Sequence, residues 1–309
     1  NGCYLPHPSR YRVQHQMEQL QAFGLYVDSV FYERLKLDML KYYRGFIFFR
    51  CPITGEIEKF IDQAKYYNKP VIFDIDDLVI DKKYTDLIPY VKTMSAIDRK
   101  TYDDGVERTR KTLEKCDCAI TTTNVLANEL RKYVADVYVN RNVASEKMLK
   151  YSERAYGNIN KDETKVILGY FSGSITHNSD FNMILPVIKK IMRKNPQVYL
   201  KVVGELDIPT ELQDYKERVI SVPFVEWKKL PELIASVDIN LAPLENNIFN
   251  AAKSENKWME AGLVHVPTIA SKVGAFEDVI CHKEDGILCE TEKEWENELE
   301  SLIIDPEYR

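Results

Sequence analysis

Short apolar runs alternate along the chain with longer stretches in which apolar residues recur every three or four positions. The first pattern predicts buried strands and the second amphipathic helices. In the first half the predicted strands are 26–32 (YVDSVFY), 45–50 (GFIFFR), 70–75 (PVIFDI), 118–123 (CAITTT) and 136–140 (DVYVN). Helices are predicted over 12–24, closed by Gly24, and over 54–69, with Thr54 as N-cap and acidic residues in the first turn. Long polar helices are predicted across 84–115. In the second half the predicted strands are 165–172, 198–204, 218–224, 239–244, 267–271 and 286–290, and the helices 179–195, 227–237, 251–263 and 292–304. Residues 143–163 are polar, carry no strand pattern and read as a linker. Strands alternating with helices predict βαβ units around parallel sheets. The fold class is therefore α/β, with two Rossmann-like domains at 1–158 and 159–309.

The chain is 309 residues long, enough for two such cores. No run approaches the ~20 consecutive apolar residues of a membrane-spanning helix. The opening NGCYLPHPSRYRVQ lacks the charged-then-apolar order of a signal peptide, so none is expected. Six scattered cysteines are too sparse for a secreted disulfide framework and read as reduced thiols of a cytoplasmic protein; Cys116 and Cys118 read as small side chains at a strand entrance. The net charge of −6 divides into +3 over residues 1–160 and −9 over 161–309. Neither half has the basic surface of a nucleic-acid binder. The mildly basic first half is compatible with an anionic acceptor, or with peripheral association at an anionic membrane surface.

Open α/β sheets bind ligands beyond the carboxyl ends of their strands, and four strand ends stand out. In GYFSGSITHNSDF (169–181), Ser172, Gly173, Ser174, Thr176 and His177 lead into a helix, an arrangement that lets backbone N–H groups approach a phosphate. An ordinary βα turn capped by Ser179 or Asp180 fits the same residues. In 241–271, Lys253, Lys257 and Glu260 fall at spacings of four and three, on one face of the predicted helix. In KPVIFDIDDLVID (69–81), Asp74, Asp76 and Asp77 cluster at the end of a strand. In PHPSRYRVQHQMEQL (6–20), Arg10 and Arg12 are candidates for phosphate recognition, and Arg50, closing GFIFFR, is a further one.

The run NAAKSENKWMEAGLVHVPTIAS…GAFEDVICHKEDGILC resembles the donor-binding core of retaining glycosyltransferases of the GT-B fold, sequence family 4. The features GYFSG…TH…DF and LAPLE…FN…AKSENKW.EA mark a bacterial subgroup met in cell-surface polysaccharide synthesis. The resemblance implies two Rossmann-like domains whose parallel sheets face a central cleft. It makes Glu260 the residue that holds the ribose hydroxyls of a nucleoside-diphosphate sugar, since a carboxylate accepts from two hydroxyls at once. It places Pro223, Phe224 and Leu230 at the nucleobase. The family's second glutamate falls on Ala252, leaving the sugar contact to Asn247 or Asn250. SGSITH, with Gly173, Ser174 and His177, replaces the usual basic pair, so Lys253 or Lys257 supplies the positive charge. Asp76 takes the position of the family's histidine and Asp77 that of its aspartate, as the candidate catalytic pair. Arg10, Arg12 and Arg50 lie on the acceptor and phosphate side.

The implied activity is metal-independent transfer of a hexosyl or deoxyhexosyl group, with no cofactor, from a nucleotide-sugar donor to a saccharide, lipid-linked or protein-linked glycan acceptor. No nucleic acid is expected as a partner. The implied location is cytoplasmic, peripheral at the inner face of the membrane. The resemblance also implies further chain at both ends, a first strand before Asn1 and helices after Arg309, and so other domains of a larger protein. Two other readings compete. One is a GT-B module that binds donor with little turnover. The other is a haloacid-dehalogenase-like phosphatase built on Asp74 and Asp76, although Leu78 stands where that motif has threonine. The metal-binding DxD of GT-A transferases also resembles this motif, but that fold has no second Rossmann-like half.

Overall fold

The computed structural model describes residues 1–173 and 177–309. By packing, the chain divides into two units, residues 1–143 with 247–254, and residues 144–246 with 255–309.

The first unit is built on a parallel sheet of four strands, β1 (Phe46–Phe49), β2 (Val71–Ile75), β3 (Cys118–Thr121) and β4 (Val137–Val139), in sequential order. Helix Gly55–Tyr66 connects β1 to β2. Thr54 caps it by accepting the Ile57 N–H at 3.2 Å, and Ile57, Phe60, Ile61 and Ala64 form its buried face. These side chains share one core with Phe73 and Ile75 of β2, Leu113 of the long helix Ala96–Lys115, and Leu126 of helix Asn124–Leu130. The second unit holds six parallel strands in the order β10-β9-β8-β5-β6-β7. These are β5 (Val166–Ser172), β6 (Val198–Gly204), β7 (Val219–Val222), β8 (Ile239–Ala242), β9 (Thr268–Ser271) and β10 (Ile287–Cys289). Helices Asn178–Lys194 and Glu292–Ile304 pack together over one core, and Ala155, Ile234, Ala235 and Ala261 belong to a second cluster formed with Phe171 and Val203. Every residue of β8 and β9 is buried, as strands covered on both faces must be.

The α/β class and the parallel sheets are those the alternation predicts. Four local expectations change. Residues 26–32 form no strand and pair with no strand of the sheet; residues 26–30 and β1 both line a cavity of about 320 Å³. The stretch 143–163, read as a linker, contains helix Glu146–Gly157, which belongs to the second unit. Its buried positions Met148, Ser152 and Ala155 keep helical spacing, but two of the three are small and give no apolar signal. Within 84–115 the long helix starts only at Ala96, after two single-turn helices, Lys82–Thr85 and Pro89–Lys92. The helix expected over 251–263 is two helices, Ile248–Ala251 and Asn256–Gly262. The break is tertiary in origin, because Phe249 and Ala252 are drawn into the core of the first unit. All six cysteines are free.

Candidate functional site

In the first unit the polar residues gather at the carboxyl ends of β1 and β2. Asp74, the last but one residue of β2, has no exposed surface. Arg12 donates to it through Nε at 3.0 Å and lies 2.9 Å away through Nη2, while Gln16 Nε2 reaches its other oxygen at 2.8 Å. Arg12 also donates through Nη1 to the Asn140 carbonyl and to Asn142 Oδ1. This arginine is 2% exposed and committed to the interior. It was expected on the phosphate side, and the structure makes it the buried partner of Asp74. A wide turn of π-helix, Arg10–Gln14, brings it there by placing Arg12 and Gln16 over one carboxylate. Arg10 is also buried, with Nη1 3.3 Å from Gln14 Oε1. Burial pushes the Asp74 carboxyl up to about 6, with the Arg12 guanidinium pulling the other way. Asp74 has no exposed surface and both its oxygens are engaged, by Arg12 and by Gln16, so it is not presented to a substrate as the phosphatase reading requires.

One residue beyond β2, Asp76 accepts from Arg50 Nε at 2.6 Å, and the same guanidinium lies 3.6 Å from Asp77 through Nη2. Burial raises the Asp77 carboxyl, opposed by Arg50 and by Lys253. Tyr102, pushed up to about 12 by burial and then by Asp77, lies beside them and was not singled out in the sequence. The long helix that carries Tyr102 gives no motif from which its place could be read. Arg50, expected to meet phosphate, is instead paired with two carboxylates. Lys253 stands in the break between the two short helices, its Nζ 5.3 Å from the Phe249 ring, within the first unit. Asn250 is 5% exposed in the same segment, and its N–H donates to the side chain of Asn247 at 2.9 Å. Lys253 and Lys257 therefore share neither a helix nor a unit, contrary to the expected common face. Ala252 has no exposed surface.

In the second unit Gly173 follows β5 and is exposed; a Cβ added there would meet nothing within 4 Å. Ser174 and Thr176 lie outside the described residues. His177 precedes helix Asn178–Lys194, its Nδ1 3.0 Å from Asp180 Oδ2, and its carbonyl accepts from the Tyr170 hydroxyl at 3.1 Å. Asp180, 1% exposed, also accepts the N–H of Glu245 at 3.0 Å. The loop after β8 is thereby tied to the start of this helix. Ser271, ending β9, accepts the Leu244 N–H at 2.9 Å and ties the same loop to the next strand. These two anchors, Asp180 and Ser271, were legible only as a cap and a strand end.

Helix Asn256–Gly262 carries both Lys257 and Glu260, three residues apart and so on neighbouring turns. Lys257 Nζ lies 4.5 Å from the Tyr170 ring centroid, and its carbonyl accepts from the buried Asn240 Nδ2 at 3.0 Å. Glu260 is half-buried. Phe224, beyond β7, is 44% exposed, as a residue offering an aromatic face to a ligand would be.

Residues 166–305 match the family model described as Glycosyl transferases group 1. No curated protein matches the chain. Among solved structures, HepE from Anabaena, in complex with UDP, is similar with a TM-score of 0.54 at 14% identity, covering 88% of this chain and 72% of that one. WaaG, a glycosyltransferase involved in lipopolysaccharide biosynthesis, gives 0.57 at 11% identity over 82% of this chain and 75% of its own. Sucrose-phosphate synthase from Thermosynechococcus elongatus gives 0.52 at 17% identity over 91% and 72%. The chain thus has the α/β fold with two parallel sheets seen in GT-B glycosyltransferases, and its residues 166–305 match the glycosyl transferases group 1 model.

Proposed function

We propose that the protein is a glycosyltransferase that moves a hexosyl or deoxyhexosyl group from a nucleoside-diphosphate sugar to a hydroxyl of a saccharide, lipid-linked or protein-linked glycan. The transfer proceeds with retention and without a metal, in bacterial polysaccharide or glycan synthesis. The observation that carries this reading is the match of 166–305 to the group 1 family model. HepE, with its UDP, supports a uridine nucleotide as the first donor to try. The protein works on the cytoplasmic side, peripheral at the membrane; no described helix is long and apolar enough to cross one.

In the reaction the bond from the anomeric carbon to the diphosphate breaks and a bond to the acceptor oxygen forms. The acceptor's proton passes to the leaving phosphate. Glu260 takes the ribose hydroxyls and Phe224 the base. Gly173 and the N-terminus of helix Asn178–Lys194 meet the diphosphate, and Lys257 adds positive charge where negative charge develops. Asp76 and Asp77 orient the reacting hydroxyls. One observation favours a second reading, donor binding with little turnover: Ala252, where the resemblance calls for a glutamate, is wholly buried and has no group to offer the sugar.

Thermal-shift screening across UDP-, GDP- and dTDP-sugars, followed by calorimetry with Glu260→Ala, tests the donor site. A bound donor raises the melting temperature in proportion to its affinity, and Glu260→Ala abolishes that rise. Unchanged affinity in Glu260→Ala refutes the ribose assignment, and binding without nucleotide release favours the second reading.

A further inference from the structure

We propose that Arg50 is a positioning residue, held in a strained turn at the end of β1 so that its guanidinium fixes the Asp76 and Asp77 carboxylates. The inference rests on the glycosyltransferase reading only in taking those carboxylates to orient the reacting hydroxyls.

Arg50 has φ of 42°, in the left-handed region that side chains other than glycine's rarely enter. Among the described residues three other non-glycine residues share it: Asn68, His265 and Lys283. Asn68 follows the C-cap of helix Gly55–Tyr66 and His265 lies in the turn after helix Asn256–Gly262, places where left-handed residues are ordinary. Arg50 instead ends a strand. Its own N–H still donates to the Asp74 carbonyl at 2.9 Å, so the ladder runs into the residue and the chain turns there. The backbone at this point is also pinned from outside. Gly2 donates to the Phe49 carbonyl at 2.8 Å, and a Cβ on Gly2 would stand 2.4 Å from the Arg50 carbonyl oxygen. A strained residue persists where its surroundings over-determine it, and such residues gather at functional sites.

The turn aims one side chain at two carboxylates on the neighbouring strand end. Arg50 is 16% exposed, Asp76 11% and Asp77 27%. The guanidinium is planar with a fixed fork of donors, so two carboxylates held by it are fixed in direction as well as neutralised. An ammonium would neutralise without fixing. Among the described residues, the other charged and titratable groups that act on this cluster include Lys253, which favours the ionised form of Asp77, Asp74, which opposes the charge of Asp76, Tyr102, and Cys3, which faces Arg50. With Arg50 committed to the pair, its fork is not available to a phosphate.

The test compares Arg50→Asn, which tolerates the left-handed backbone but loses the fork, with Arg50→Lys, which keeps the charge. Carbon-13 carboxyl NMR reads the titration of Asp77 in each. Hydrolysis of the nucleotide sugar that stabilises the wild-type protein, with water as the acceptor, is followed against pH. Arg50→Asn should move the Asp77 midpoint upward, move the acid limb of the cleavage profile with it, and lower kcat on the order of a hundredfold. The donor's KM should stay nearly constant. Arg50→Lys should restore the midpoint and only part of kcat. An Asp77 midpoint unchanged in Arg50→Asn overturns the proposal. So does a midpoint that moves while kcat and the acid limb stay put, since the ion pair is then structural alone. A wild-type protein that cleaves no nucleotide sugar defeats the glycosyltransferase reading, while the titration still decides whether Arg50 holds the pair.

Discussion

Replacing Arg12 by methionine removes the partner of a carboxylate that has no exposed surface. The change deletes two contacts to Asp74, at 3.0 and 2.9 Å, and leaves the carboxylate only Gln16. Breaking one side of a buried ion pair costs about 3–5 kcal/mol, because the remaining charge is stranded. Whole domains are stable by only about 5–15 kcal/mol, so Arg12→Met should bring the first unit close to unfolding. Replacing both members, Arg12→Met with Asp74→Leu, strands no charge. It still takes a partner from Gln16 Nε2, Asn142 Oδ1 and the Asn140 carbonyl, and should cost about 1–3 kcal/mol. The double variant should therefore be more stable than Arg12→Met alone.

The loss should also depend on pH. Burial has already raised Asp74 to about 6, and losing Arg12 raises it further. A carboxyl whose folded value lies above its unfolded one contributes stability that is full below the unfolded value and lost as pH rises through the folded value. Arg12→Met should accordingly be less destabilised at pH 5 than at pH 8. The assay is urea unfolding read by amide exchange over β2. Tryptophan fluorescence cannot serve, because Trp227, Trp258 and Trp295 all lie in the second unit. A loss below about 1 kcal/mol in Arg12→Met, or a double variant as unstable as the sum of its singles, would refute the reasoning.

In the second unit, Lys190 and Lys194 pull the Glu296 carboxyl down to about 2. Its contribution is complete above the ordinary glutamate value and lost as pH falls through about 2, so acid unfolding followed by tryptophan fluorescence should show a shallower slope in Glu296→Gln. Gly204 has φ of 97°, and a Cβ there would stand 2.0 Å from the Ser172 carbonyl oxygen. Gly204→Ala should cost roughly 3 kcal/mol or more by thermal unfolding and weaken donor binding by displacing the end of β5. Thr291→Ala removes the capping box at the start of helix Glu292–Ile304 and should cost about 1 kcal/mol by the same measurement.

The central strands were legible because a strand covered on two faces is largely apolar, as in ILGYF of β5 and INLA of β8, where Asn240 is the one polar residue. Helix Gly55–Tyr66 was legible from its cap and its spacing. The stretch 26–32 misled because strand-like side chains do not by themselves supply a ladder partner. The break at 252–255 was invisible because Phe249 and Ala252 pack in the unit that the neighbouring sequence does not belong to. Among the candidate residues, the sequence brings Lys257 and Glu260 together through helix spacing alone. It could not show that Arg12 reaches Asp74 across 62 positions of sequence, nor that Arg50 faces Asp76 and Asp77. Side chains that meet across strand ends carry no periodic signal.

The most direct test of the central claim is to incubate the protein with each nucleotide sugar in excess chelator and measure nucleoside diphosphate released, for the wild-type protein and for Glu260→Ala. One donor class should be hydrolysed at the bond between sugar and diphosphate, water taking the acceptor's place, and Glu260→Ala should lose that activity. Release of inorganic phosphate from phosphomonoesters that needs Mg²⁺ and disappears in Asp74→Asn, with no nucleotide sugar bound or cleaved, would contradict it.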